Sequence, residues 1–600
     1  MEEKIIATGD IRSGKGRVLA VSIATGAAAS YIAFVLFLQT SAISLSRLAL
    51  AGIVFLCIGV VSYTGTLRWL ASGFNGEEAR RAVFTGLILS ATFVPLLFEP
   101  PAYPQSPLLQ PWTDLAIQFE LSGSGMPLIL EPGDLKFTMG KETVGAASFQ
   151  PVGTWQRTGN AIGLSAGETG SLQWTGTTPE TLTLSIQPHG VDGTLTVYWD
   201  NTRTTFNLSK ENQAPIVLVR KVALPWGYSL AFLASLFILT AWVLSVLTIL
   251  AERRLGWLRH LEKSRWTFGA IAILFVALSA LTVKLQVDSL SGGVHYILTT
   301  QVPRHTNVLN GLAPNPWQYR VLSEWVAELF LRFYGWLSIP DATVAGFLSL
   351  RLLQNIIIFV LAFLLYKRLS RSSLLALLGI LVLAASMHNA YYDNDLAFNT
   401  YFDILFYLLC ALLLLSRNYR AVLILTVLAA LNRETSALIP FLMGAAILED
   451  ARKPGASRFL PVLIAAALFV SVFLDLRWLY PGRPIYVPYK HPPGFPLFLY
   501  NISRQFTWEQ LLRTLGLIPL LGLLAFPAWP RLWRWFFLIV CPVWFLIHSF
   551  ASVMAETRLF LVPQALVFIP GVLFLLMASY DRRPRTSLLP ELDAQNNEPR

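Results

Sequence analysis

The stretch "LAALNRETSALIPF", residues 428–441, sets Asn432, Arg433 and Glu434 inside an otherwise apolar run. An arginine and a glutamate side by side there have no easy route to water, and at the centre of a bilayer either charge is expensive. The apolar segments on either side, near 420–431 and 435–448, are each too short to cross a hydrocarbon core of about 30 Å comfortably. They read as two half-helices meeting at the charged triplet, where irregular backbone is tolerated at depth if it faces a cavity or buried protein. Two readings stay open for Arg433 and Glu434: a functional pair facing a water-filled cavity, or a structural ion pair locking the two helices together.

The whole chain shares this character. Of its 600 residues 54% are hydrophobic and only 14% charged, with a mean hydropathy of +0.55, too apolar for a soluble protein of this size. Other candidate spans lie near 17–38, 45–65, 82–99, 225–251, 267–284, 343–366, 373–388, 399–416, 459–475, 511–527, 534–550 and 558–578. The expected fold is an all-α polytopic membrane protein with about 12–14 transmembrane helices. Basic clusters such as Arg80 and Arg81, Arg253 and Arg254, Lys367 and Arg368, Arg417 and Arg420, and Arg582 and Arg583 all fall on one side when spans are counted in turn. Lys and Arg in short loops mark the cytoplasmic face, so both termini are expected there, in a multi-pass plasma (inner) membrane protein. The net charge of +11 is explained by anionic membrane lipid and calls for no nucleic acid. The first apolar segment reads as a retained span rather than a cleaved signal peptide. Cys57, Cys410 and Cys541 all sit in apolar segments, so no disulfide framework is expected.

One region breaks the pattern. Residues 112–222 alternate polar and apolar side chains in short runs, "TLTLSIQP" (181–188) and "GTLTVYWD" (193–200) among them, separated by turn residues. They predict an inserted β-sandwich on the extracytoplasmic side. Trp155, Trp174 and Trp199 either fill its core or stack on sugar rings. The expected organisation is three N-terminal spans (1–111), the sandwich (112–222), a span with a basic cytoplasmic loop (223–266), a membrane module (267–580) and a cytoplasmic tail (581–600).

Polar chemistry gathers in the outer loops of the membrane module. Asp288 opens the first, about one turn beyond a helix end. Arg320, Glu324, Glu328 and Arg332 follow at i, i+4 spacing, a charged stripe that reads as a helix lying along the membrane surface. Asp393 and Asp395 form an Asp-x-Asp pair, either a turn or a seat for a divalent cation such as Mg2+ or Mn2+, the one cofactor this sequence suggests. The loop 476–510 is rich in Pro and Tyr and carries Arg477, Lys490 and His491. It reads as a cover over a cavity whose cations meet a phosphate, or as a solvated connector. Glu556 and Arg558 stand together at the mouth of the last span.

A spanning helix, an outer loop opening with an Asp, a surface helix, then paired spans with acids at their outer ends resembles the GT-C superfamily of integral-membrane glycosyltransferases. "PWQYRVL" (316–322), "LNRETSAL" (431–438) and "AETRLFLVP" (555–563) also look like bacterial members of that group. The resemblance covers roughly 267–578. It implies a polyprenyl-phosphate-linked sugar donor, a glycan, lipid or protein acceptor outside the cytoplasm, and inversion at the anomeric carbon. It implies Asp288 as general base, with Arg320, Arg433 and Arg558 binding the departing phosphate. Many members carry two adjacent acids in the first loop, whereas Ser289 follows Asp288 here, which leaves Asp393, Asp395 and Glu556 as rival bases. A transporter or flippase of lipid-linked sugars is the alternative from another class, because half-helices meeting at depth also build transport sites. No P-loop, Rossmann glycine motif or His-Glu-x-x-His motif occurs, so nucleotide-driven and zinc-motif chemistry have no support.

Overall fold

The computed structural model describes residues 18–33, 45–71, 76–98, 112–122, 127–131, 133–139, 142–158, 161–177, 182–187, 191–199, 202–209, 215–220, 226–261, 265–290, 293–392, 396–450, 456–488 and 491–580. Two compact units emerge, one from 1–74 with 99–239 and the other from 75–98 with 240–600.

The first unit holds α1 (Val18–Ala33), α2 (Leu45–Ala71) and twelve strands. A five-stranded sheet has the order β11 (Thr202–Leu208), β10 (Gly193–Trp199), β1 (Trp112–Leu121), β8 (Thr169–Thr177), β5 (Gln150–Gly153). A four-stranded sheet runs β12 (Ile216–Arg220), β9 (Leu182–Ile186), β3 (Leu135–Met139), β4 (Glu142–Gly145), and a small third one β2 (Leu128–Leu130), β7 (Ala161–Leu164), β6 (Gln156–Thr158). Alternation decides which face is buried: Leu115, Ile117 and Phe119 of β1 meet Leu182, Leu184 and Ile186 of β9 in one core. Phe137 sits at its centre, with the rings of Trp174 and Trp199 edge-on at 4.9 and 5.8 Å. Trp155 lies edge-on to Phe119 and donates its indole N–H to the Ser171 carbonyl. All three tryptophans therefore pack against the sandwich core, which favours the packing reading over sugar stacking.

The second unit is helical. It contains α3 (Gly76–Leu97), most of α4 (Trp226–Leu261), α5 (Arg265–Ser289), α6 (Val294–Tyr296), α7 (Val302–Leu309), α8 (Val321–Trp336), α9 (Ala342–Ser370) and α10 (Ser373–Asn389). It continues with α11 (Phe398–Leu415), α12 (Tyr419–Asn432), α13 (Ile439–Asp450), α14 (Leu460–Leu479), α15 (Phe495–Ser503) and α16 (Gln505–Leu515). It ends with α17 (Ile518–Leu524), α18 (Arg531–Ala551), α19 (Leu561–Pro563) and α20 (Ile569–Tyr580). Among the described residues eight helical segments are long and apolar enough to cross a membrane, and Val18–Ala33, Ala49–Gly65, Ser373–Asn389 and Tyr419–Asn432 are shorter apolar helices. The chain is thus an all-α, multi-span membrane protein with an inserted β-sheet domain. The expected span 511–527 is instead divided, because Gly516 takes φ +58° and caps α16 on the Leu512 carbonyl.

Three buried tryptophans fix the last helices, each with its indole N–H satisfied by a carbonyl: Trp529 by Gly522, Trp533 by Leu566 and Trp544 by Leu559. The third bond, at 2.6 Å, pins the turn that carries Arg558.

The charged stripe of α8 has the expected spacing, but its Glu324 and Glu328 turn inward while Arg332 stays exposed. Buried His305 on α7 bonds Glu324 at 2.7 Å through Nδ1 and Glu328 at 3.1 Å through Nε2, while Arg332 bonds Glu328 at 2.7 Å. The exposed face carries Trp325, Leu329, Phe333 and Trp336. Burial alone would lower the pKa of His305, but hydrogen bonds and charge from Glu324 and Glu328 outweigh it and raise the pKa above the ordinary value. Arg332, with a smaller share from His305, holds Glu328 below the usual glutamate range.

A raised histidine pKa adds stability that is fully present below the unfolded value, about 6.5, and is lost as pH climbs through the folded one. Thermal unfolding in detergent should therefore show stability falling from about pH 6.5 upward, and His305→Asn should lose about 3 kcal/mol at pH 6 together with that slope. A wild-type profile flat over this range contradicts the assignment.

Candidate functional site

The charged triplet of the opening stretch lies where α12 ends. Arg433 leaves the helix in an extended conformation, and a 3-10 turn, Glu434–Leu438, leads into α13. Buried Asp403, in the second turn of α11, organises this break. Its Oδ1 accepts from Asn432 Nδ2 at 3.0 Å, and its Oδ2 accepts from Thr435 Oγ1 at 2.9 Å and Arg433 Nη1 at 3.4 Å. Asn432 also donates to the Asn399 carbonyl, and the Tyr407 hydroxyl donates to that of Thr435 at 2.6 Å. A single carboxylate thus meets three donors within four residues, which satisfies the polar groups that face it at the break.

The remaining bonds of Arg433 set the protonation of a second buried group. Arg433 Nη2 lies 3.2 Å from His548 Nε2, and His548 Nδ1 is 2.8 Å from the Trp544 carbonyl. A carbonyl only accepts and a guanidinium only donates, so the proton sits on Nδ1 and Nε2 accepts: His548 is a neutral imidazole.

Glu434 turns away from its neighbour. It faces Arg320 at 3.5 Å and Arg477 at 3.9 Å, and Arg477 lies over the ring of Tyr319. Arg433 and Glu434 therefore hold different partners, because extended backbone sends successive side chains to opposite sides. Glu556 and Arg558 do pair, at 2.7 Å.

Part of this network lines a cavity of about 310 Å3. Arg320, Arg433 and Arg558 line it with Glu556, the one carboxylate among the described lining residues. Asn399 and Thr400 bring the first turn of α11 to the wall, where the helix dipole favours negative charge. Counting the bonded neighbours, the four guanidiniums of Arg320, Arg433, Arg477 and Arg558 face the three carboxylates of Asp403, Glu434 and Glu556. Among the described residues of this network one positive charge is left over.

The Pro-rich loop supplies another wall through Ile485, Tyr486 and Pro488. Two backbone bonds at 2.8 Å tie it down, from Asn315 N to the Pro484 carbonyl and from Tyr486 N to the Asn315 carbonyl. Trp317, beside them on the cavity wall, has the guanidinium of Arg304 4.3 Å from its ring centre.

The other expected residues fall elsewhere. α5 runs on through Asp288, which pairs with Lys284 one turn earlier, is 54% exposed and does not line the cavity. His491 packs against the ring of Tyr500, tilted, with ring centres 4.4 Å apart, and is also off the cavity wall. Asp393, Asp395 and Lys490 lie outside the described residues. Among the described residues no group of three or more His, Cys, Asp or Glu is placed to hold a metal ion. Asp403 and His548 are the partners that the sequence reading assigned no role; each is an ionisable side chain in an apolar helix, which is the signal that marks them. No family model, curated protein or solved structure matches this chain.

Removing one member of the buried pair leaves an uncompensated charge. Asp403→Asn is expected to cost about 3–5 kcal/mol in thermal or chemical unfolding. Asp403→Leu with Arg433→Met should cost less than the sum of the two single changes by at least about 1.5 kcal/mol. Additive losses contradict the coupling.

Proposed function

We propose that this protein is a glycosyltransferase that moves a sugar from a polyprenyl-phosphate donor to an acceptor outside the cytoplasm, with inversion. The observation that carries this reading is the arginine-lined cavity with its single lining carboxylate, a combination suited to an anionic leaving group and a hydroxyl nucleophile. The cavity lies where α11 and the segment after Glu556 begin and α12 and α18 end. The basic stretches 367–371 and 417–420 lie at the far ends of α9–α12, which supports an outward-facing site under the positive-inside rule.

In this reading Glu556 takes the base role, in preference to Asp288, because it faces the cavity. Its pairing with Arg558 at 2.7 Å orients it. It removes the proton of the acceptor hydroxyl as that oxygen attacks the anomeric carbon. The bond from that carbon to the phosphate oxygen breaks on the opposite face, and its electron pair leaves with the polyprenyl phosphate. Arg320 and Arg433 offset the charge that builds on the phosphate. Asp393 and Asp395 remain rival bases. If a divalent cation takes part, that pair would hold it and the cation would screen the phosphate. The acceptor class is a cell-envelope glycan, lipid or protein. A flippase of lipid-linked sugars is the second reading, favoured by the meeting of α12 and α13 at an irregular polar break.

The test supplies the reconstituted protein with radiolabelled polyprenyl-phosphate sugars and follows label into acceptor material. Wild type should transfer label, and Glu556→Gln should slow turnover by about 10²–10⁴-fold while donor binding persists. Full turnover in that variant moves the base to Asp393 or Asp395. Donor crossing the bilayer without transfer supports the flippase.

A further inference from the structure

Arg351 is an ionisable group that the proposed chemistry leaves unused. It lies on α9, 0% exposed, inside a segment long and apolar enough to cross the membrane. Its Nε donates to Gln286 Oε1 at 3.1 Å, its Nη1 donates to Asn355 Oδ1, and the guanidinium lies over the ring of Tyr401. Nη2 has no hydrogen-bond partner. Every other buried guanidinium described above has a carboxylate within 3.5 Å, in Arg433–Asp403 and Arg558–Glu556. Arg351 has none among the described residues.

Hydrogen bonding does not explain the charge. Gln286 and Asn355 offer amide oxygens that a neutral donor would satisfy equally well. Taking a guanidinium out of water into this site costs several kcal/mol. What the positive charge adds over a neutral donor is its field, which extends far in a region that water does not screen.

That field acts on the first turn of α11, which reaches the cavity. Tyr401, under the guanidinium, follows Asn399 and Thr400, which line the cavity wall. Gln354, three positions along α9 from Arg351 and also buried, donates to the Phe398 carbonyl at 3.0 Å and so ties α9 to the first turn of α11. The charge therefore stands against Tyr401, the residue that follows cavity-lining Thr400 in α11. It adds to the one unmatched guanidinium already there.

We propose that Arg351 is a specificity-determining positioning residue: its uncompensated charge behind the first turn of α11 makes the cavity take a phosphate-bearing lipid in preference to the neutral alcohol. The inference rests on the reading of the cavity as a lipid-phosphate site. The residue touches no substrate and acts through the potential at the α11 terminus.

The full-length protein in detergent micelles is titrated with a short-chain polyprenyl monophosphate and, separately, with the matching polyprenol. Variants are Arg351→Gln, which keeps hydrogen bonding without charge, and Arg351→Lys, which keeps charge. Arg351→Gln should bind the phosphate about tenfold more weakly and the alcohol unchanged, and Arg351→Lys should keep the wild-type preference within about threefold. Arg351→Gln with undiminished preference overturns the proposal, and so does equal loss of both lipids, which marks a packing role. If Arg351→Gln does not fold, Arg351→Met replaces it as the variant without charge: loss of the phosphate preference supports the proposal and an undiminished preference overturns it. Wild-type protein that does not distinguish phosphate from alcohol defeats the lipid-phosphate reading itself, a result distinct from failure of the variant.

Discussion

One buried carboxylate holds the helical unit open where the chain needs it open. Asp403 receives bonds from Asn432, Arg433 and Thr435, and so allows the run from α12 to α13 to break inside apolar surroundings. Without it Arg433 would be a bare cation in a low-dielectric interior, at a cost no apolar packing offsets. With it the break is rigid, and the guanidinium is presented to a cavity instead of solvated by one. His548, fixed as a neutral imidazole by the Trp544 carbonyl, completes the cradle and adds no charge of its own.

The electrostatics around the cavity follow from that anchor. Each lining arginine is tied to an acid, which limits the self-repulsion of close cations. Among the described residues of this network the acids are one fewer than the cations, which leaves the site receptive to an anion. Neutral walls of Tyr486, Ile485 and Pro488 border this charged floor, as a ligand with a charged head and an apolar tail requires. On the proposed reading, the head is the phosphate and the tail is the polyprenyl chain. Arg351 then adds its charge against Tyr401 of α11 at the expense of stability.

Much of this was legible in the sequence, for reasons that can be named. Charges in an apolar run marked residues 432–434, because burying them is costly enough to be rare. Strict alternation marked the β insertion, because the side-chain period of a strand is two. What was hidden were pairings across helices. Asp403 and Arg433 are thirty positions apart, and only packing brings them together. The i, i+4 spacing in α8 told which residues share a face, but not that Glu324 and Glu328 turn inward to His305. Asp288 was misplaced as a loop residue because α5 runs on to Ser289, and its nearest charge, Lys284, was one helical turn away in the sequence itself.

The central claim is that the Asp403-anchored cavity is an anion site for a lipid phosphate. The most direct measurement is an electron cryo-microscopy structure of the protein incubated with polyprenyl monophosphate. The account predicts phosphate density within hydrogen-bond reach, about 3 Å, of Arg433 and at least one of Arg320 and Arg558, with Asp403 still bonded to Arg433. Phosphate bound away from these arginines, or Asp403 released from Arg433 in the bound state, contradicts it.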